Sequence, residues 1–102
     1  MLENIIEVLE THDDLSTFYY LLSRARLITH FKGLMACRVA IPHNTAFEKM
    51  GWRELFTLMI DKEQLRNKIL GIINPSVNIN DKIVWDKPIS RRCSLYVVNE
   101  FV

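Results

Sequence analysis

The sequence predicts an α+β domain in which N-terminal helices pack on a small C-terminal β-sheet. Apolar residues recur at helical spacing through most of the chain before Pro75. After Pro75 the chain is rich in the β-branched and aromatic residues that favour strands. A chain of 102 residues can bury one core, and no linker or repeat divides it. We therefore expect a single domain over residues 1–102.

Two amphipathic helices are predicted at the N-terminus. The apolar face of the first helix, at positions i, i+3, i+4 and i+7, consists of Leu2, Ile5, Ile6 and Leu9. Polar residues 11–14 interrupt this pattern, and Asp13 or Asp14 is suited to cap the next helix. The apolar spacing of the second helix begins at Leu15 and continues to a stop at Gly33.

Residues 38–47 predict a short strand, a proline turn and the start of a helix. Pro42 lacks an amide donor, so the strand ends there or lies at a sheet edge. Asn44 has a side chain that can cap the helix by accepting a hydrogen bond from a free amide. Phe47 is then the large apolar residue expected to anchor this helix in the core, and Gly51 ends the helix.

The remaining elements are one further helix and the strands of the sheet. Asp61 opens a helix through a capping-box pattern. Residues 77–85 and 93–102 favour strands because β-branched and aromatic side chains alternate loosely with polar ones. Residues 86–88, Asp-Lys-Pro, are typical of a turn.

Composition excludes two classes of partner. Thirteen basic and twelve acidic residues give a net charge of +1 at pH 7, which provides no electrostatic reason to bind nucleic acid. No run of about 20 apolar residues is present, so we expect no membrane insertion.

The N-terminus and the cysteines favour an intracellular location. The first residues lack the basic segment of a secretory signal. Two cysteines, Cys37 and Cys93, are too few for a disulfide framework, and we expect free thiols in a reducing compartment. A domain excised from a secreted protein would have the same composition, so an extracellular location stays open.

The order of these segments resembles fasciclin-type domains. In that family a strand ending in Phe-Ala-Pro-Thr-Asn or Asp leads into a helix that carries Ala-Phe, which residues 39–47 follow. Residues 4–9, 15–27, 61–70 and 95–102 are similar to the family's opening helix, second helix, later helix and closing strand. The resemblance implies a fasciclin-like fold and a module for protein–protein interaction or cell adhesion rather than an enzyme.

The chain also departs from that family. Gly71 and Ile72 stand where the family often has the Tyr-His pair implicated in integrin binding. The segment before the closing strand is short as well. Two functions therefore stay open: an adhesion-type module, or a small structural subunit of a larger intracellular or virion assembly.

The sequence offers no set of residues for catalysis, a cofactor or a metal. A thiol nucleophile needs an adjacent base, and the histidines at positions 12, 30 and 43 lie in separate segments. Only three glycines are present, and none forms a phosphate-binding loop. We expect a non-enzymatic protein without a cofactor, whose partner is another protein and whose oligomeric state is open.

One surface patch is predicted to bind that partner. Trp85 on a predicted strand is followed closely by Arg91 and Arg92, and aromatic residues and arginine are enriched at interface hot spots. Trp52, after Gly51, is expected to cover the edge of the core. His43 either assists in capping the helix that follows or is an exposed turn residue.

Overall fold

A computed structural model describes residues 4–34 and 37–101, and these form the predicted α+β domain. The helices and strands, in chain order, are α1 (Ile5–Thr11), α2 (Ser16–Arg24), α3 (Ile28–Lys32), β1 (Cys37–Pro42), α4 (Asn44–Met50), α5 (Trp52–Ile60), α6 (Lys62–Leu70), β2 (Ile83–Pro88) and β3 (Cys93–Val98). Short 3₁₀ turns precede α2 and β2 at Asp13–Leu15 and Asn80–Lys82.

The predicted second helix is divided into α2 and α3. Arg26 lies in the left-handed region with φ of 59°. The amide of Leu27 donates to the carbonyl of Leu22 at 3.2 Å, and the amide of Arg26 donates to that of Ser23 at 3.1 Å, which together form a Schellman motif. The helical spacing of apolar residues continues beyond this break, so the spacing alone did not reveal it.

The three strands form one mixed sheet in the order β1-β3-β2. β1 is parallel to β3, and β2 is antiparallel to β3. The prediction of a turn at residues 86–88 is wrong, because these residues complete β2 and the chain turns at residues 89–92. Pro88 is compatible with this position because an edge strand can end on a residue that donates no hydrogen bond.

The core lies between the helices and the sheet. Its largest fully buried side chains are Phe18, Phe31, Ile5, Leu15, Leu21, Leu22, Ile41, Leu65, Ile69, Ile72, Ile79 and Leu95. Phe47 is 4% exposed and meets Phe101 edge to face at 5.6 Å between ring centroids. The prediction that Phe47 anchors its helix in the core is confirmed. Of the predicted face of the first helix, Leu2 lies outside the described residues.

The prediction of two free thiols is wrong, since the structure joins Cys37 to Cys93 as a disulfide. The two residues are direct register partners at the beginning of the parallel strands β1 and β3. Their Cα atoms lie 4.5 Å apart, within the range that a disulfide spans. A separation of 56 residues along the chain concealed this neighbourhood.

Candidate protein-binding surface

Helix α5 exposes a stripe of large apolar side chains. Trp52, Phe56 and Ile60 follow one another at intervals of four residues and are 73%, 55% and 65% exposed. The opposite side of α5 buries Leu58 in the core. The expectation that Trp52 covers the core edge is wrong, because most of its side chain faces water.

Gly51 determines the direction in which α5 leaves α4. Its φ of 88° is unfavourable for residues with a Cβ atom, and the chain turns here between the two helices. The Gly51 amide donates to the carbonyl of Phe47 at 3.2 Å, and the Gly51 carbonyl accepts from the amide of Leu55 at 3.2 Å. One residue thus ends α4 and begins α5, as the sequence predicted for the end of the Phe47 helix.

Two contacts link helix α2 to α5, one at each end of the two helices. At one end, Thr17 of α2 and Trp52 of α5 line the same open cavity of about 330 Å³. At the other end, Nη2 of Arg24 in α2 donates to the carbonyl of Met59 in α5 at 2.9 Å. Tyr20 lies between these two contacts on α2 and is 49% exposed. We call the exposed set Tyr20, Trp52, Phe56 and Ile60 the α2–α5 surface.

Two arginines border the α2–α5 surface. The guanidinium of Arg53 lies 5.8 Å from the ring centroid of Trp52, and that of Arg24 lies 5.9 Å from the ring centroid of Tyr20. Within residues 4–34 and 37–101, neither arginine forms an ion pair with a carboxylate. The surface is therefore aromatic and aliphatic with a cationic border.

The predicted patch of Trp85, Arg91 and Arg92 is divided in the structure. Trp85 is half-buried, since its Nε1 donates to Oδ2 of Asp14 at 3.0 Å and its indole lies 4.9 Å from the imidazole of His12. Arg91 and Arg92 are exposed together in the β2–β3 turn. Trp85 precedes the end of β2 by three residues, or about 10 Å, and contacts the helical layer.

The edge of the sheet at β2 carries features that oppose strand pairing with a partner. The register is irregular between Ile83 and Trp85, and the strand ends in Asp86, Lys87 and Pro88. Bulges, charged residues and proline are the means by which proteins protect exposed edges. The α2–α5 surface is for this reason the better candidate for protein contacts.

His43 has the capping role that was one of its two predicted alternatives, whereas Asn44 has a different role from the one predicted. The N-cap of α4 is His43, whose Nδ1 accepts from the amide of Thr45 at 3.1 Å, so the prediction of Asn44 as the cap is wrong. Because Nδ1 accepts that hydrogen bond, the ring proton is assigned to Nε2, which faces Oδ2 of Asp14 at 3.2 Å. The Oδ1 of Asn44 instead accepts from the amide of Thr17 at 3.0 Å, which connects α4 to α2.

The arrangement Asp14–His43–Thr45 superficially has the order of an acid, a base and a nucleophile. The Thr45 hydroxyl lies 3.0 Å from Nδ1 of His43. The lone pair of Nδ1 is, however, already directed at the Thr45 amide, and a general base needs that lone pair to accept a proton. The geometry is that of a helix cap held by a carboxylate. Among the described residues, no group of three or more acidic, histidine or cysteine side chains is placed to hold a metal ion.

Comparisons with known proteins add no relatives to this description. The sequence matches no protein-family model and no curated protein. The resemblance to fasciclin-type domains stays a prediction. In the part of the chain that the structure describes, no helix is long and apolar enough to cross a membrane.

Sequence reasoning missed the α2–α5 surface for a simple reason. Residues 55–60 are apolar on several sides of the helix, so their spacing does not distinguish the buried side from the exposed one. The pair of Trp52 and Phe56, four residues apart beside Arg53, was the available signal. The sequence prediction placed the interface at Trp85, Arg91 and Arg92, near the C-terminal strands.

Proposed function

We propose that this protein is a non-catalytic protein-binding domain that uses the α2–α5 surface. The observation that carries the proposal is the exposed stripe of Trp52, Phe56 and Ile60 beside Tyr20. Contiguous exposed apolar side chains of this size are uncommon on soluble monomers and mark interaction sites. Tryptophan, tyrosine and arginine are also the residues that dominate interface energetics.

The adhesion-type version of this function has one specific observation in its favour. Disulfides persist mainly in oxidising compartments, so the bridge between Cys37 and Cys93 favours a protein that works at or outside the cell surface. The order of fasciclin-like motifs supports the same version. A structural subunit of a larger assembly is the alternative, and it would use the same apolar surface.

The experiment compares partner capture by matched variants. The wild-type protein, Phe56→Ser/Ile60→Ser and Val77→Ser/Val84→Ser serve as immobilised baits for an extract of the native source. Val77 and Val84 are 54% and 51% exposed but lie outside the α2–α5 surface, so this variant controls for lost apolar area. Circular dichroism first establishes that each bait is folded, and each captured protein is then purified and its dissociation constant measured.

We expect the partner to bind the wild type and the valine variant equally and to lose at least tenfold in affinity for Phe56→Ser/Ile60→Ser. An Arg91→Ala/Arg92→Ala bait tests the β2–β3 turn in the same experiment. Retention by Phe56→Ser/Ile60→Ser together with loss by the arginine variant would refute the α2–α5 surface and assign binding to the turn.

A further inference from the structure

The dimensions of the α2–α5 surface match a short helix. The stripe from Trp52 to Ile60 covers all nine residues of α5, and the eight steps between its ends give a length of about 12 Å. Tyr20 of α2 extends the exposed apolar surface beside this stripe, because Arg24 donates both to the Tyr20 hydroxyl and to the carbonyl of Met59 in α5. An exposed apolar stripe of this length is a surface against which an amphipathic helix of two to three turns can pack.

The charges beside this stripe specify the partner further. Arg24 and Arg53 each lie over an exposed aromatic ring, and neither forms an ion pair among the described residues. A guanidinium pairs with a carboxylate through two parallel hydrogen bonds. Glu48 lines the cavity at the Trp52 end and is the one acidic residue among those that line it. The two guanidiniums that lie over the exposed rings are therefore the charges closest to the aromatic part of the α2–α5 surface, and a carboxylate on the partner would complement them.

A second copy of this chain is a poorer occupant. In a two-fold symmetric dimer the same patch meets itself, so both copies would bring Arg24 and Arg53 to the interface. Like charges that are brought together at an interface without compensating acids oppose association. A partner that supplies carboxylates removes this repulsion.

We propose that the α2–α5 surface binds an amphipathic helical segment of another protein, with apolar residues at i, i+3 or i+4 and i+7 flanked by aspartate or glutamate. This inference rests on the proposed function and adds the chemistry of the partner. The small contact area implies a transient complex.

A display selection tests the inference with a random library of helical 16-residue peptides as the probe. The wild-type protein is the bait. Peptides that also bind Phe56→Ser/Ile60→Ser are discarded in a counter-selection step, because they bind outside the α2–α5 surface. We expect the enriched peptides to carry apolar residues at helical spacing and an excess of acidic residues over the starting library. The strongest peptide is then synthesised and titrated by fluorescence polarisation at low and high salt.

Arg53 provides the sharper charge test, because Arg24 also bonds the carbonyl of Met59. We expect Arg53→Gln to weaken peptide binding about two- to fivefold, and added salt to reduce the difference between Arg53→Gln and the wild type. Arg91→Gln is the matched control, since it removes an equally exposed positive charge at the β2–β3 turn. This control is expected to bind as the wild type does.

Each other outcome overturns a defined part of the reasoning. In one such outcome the enriched peptides require Phe56 and Ile60 but show no excess of acidic residues, and in another they bind Arg53→Gln as tightly as the wild type. Either result would refute the acidic character of the partner and leave the α2–α5 surface as the binding site. The absence of any peptide dependent on Phe56 and Ile60 would refute the helical partner, and the capture experiment then decides the proposed function separately. Self-association in analytical ultracentrifugation that Phe56→Ser/Ile60→Ser abolishes would identify a second copy as the occupant.

Discussion

Asp14 connects three parts of the fold, and its removal is the most informative single perturbation. Its Oδ2 accepts a hydrogen bond from Nε1 of Trp85 on β2 at 3.0 Å. The same oxygen lies 3.2 Å from Nε2 of His43, the residue that caps α4. Replacement by alanine leaves both donors without their acceptor and removes the hydrogen bond between Trp85 on the sheet edge and the helical layer.

The magnitude follows from the number of hydrogen bonds and their exposure. A hydrogen bond to a charged group contributes about 1.5–3 kcal/mol when it is protected from water. The side chains of His43 and Asp14 are 20% and 34% exposed, so water replaces part of each lost bond. We expect Asp14→Ala to lower the free energy of unfolding by about 2 kcal/mol. Asp14→Asn keeps one acceptor oxygen and is expected to lose about half as much.

Urea unfolding followed by tryptophan fluorescence measures this loss. The chain has two tryptophans, and Trp52→Phe leaves Trp85 as the only reporter. Asp13→Ala is the matched control, because Asp13 is an exposed neighbouring acid whose backbone carbonyl, and not its carboxylate, accepts from Asn44. If Asp14→Ala costs no more than Asp13→Ala, or leaves the folded-state emission of Trp85 unchanged, the connecting role of Asp14 is refuted.

Three further perturbations have defined outcomes. Phe47→Ala removes a buried ring, so we expect a loss of about 3–5 kcal/mol in denaturant melts, and a loss below about 1 kcal/mol would contradict its core position. Cys93→Ser removes the Cys37–Cys93 bridge and is expected to lower the free energy of unfolding by roughly 4 kcal/mol in the chain-entropy model. Alkylation of the purified wild type followed by mass spectrometry should find no free thiol, and two alkylated cysteines would contradict the bridge. Partial desolvation and the Glu10 carboxylate raise the pKa of Tyr19, so Glu10→Gln is expected to lower that pKa in an ultraviolet titration. Because the folded phenol keeps its proton longer than the unfolded one, its contribution to stability is lost above about pH 10, and an unchanged titration of Tyr19 would contradict the Glu10 contact.

Local features of the chain were predictable because the interactions that form them span only a few residues. Asp61 caps α6 by accepting from the amide of Gln64 at 3.1 Å, as its capping pattern predicted. Gly33 and Gly51 end the helices before them, as predicted. The limit of such reasoning appears at Arg26, where a non-glycine residue adopts the left-handed conformation that ends α2.

The candidate site was less predictable because its partners are distant in sequence. The sequence predicts a binding role for Trp85, but its acceptor Asp14 lies 71 residues away, and that bond directs the indole toward the helical layer. Arg91 and Arg92 remain exposed, and no contact in the described part of the chain joins them to Trp85. The residue type shows that an indole can donate a hydrogen bond. Which acceptor it meets depends on the tertiary structure, because the two residues are distant along the chain.

The sequence by itself determined the α+β class, the beginning of β3 at Cys93 and the burial of Phe47, since periodicity, caps and β-propensity act over short distances along the chain. The predicted strand over 93–102 was too long, because β3 ends at Val98, and Val102 lies outside the described residues. Only the tertiary structure decided which apolar residues face water. Leu58 and Phe56 lie two positions apart on one helix with equally apolar side chains, yet one is in the core and the other 55% exposed. The physical reason is that burial depends on how much of each helix the neighbouring elements cover, and α4 and α6, the helices that pack on α5, leave one side of it uncovered.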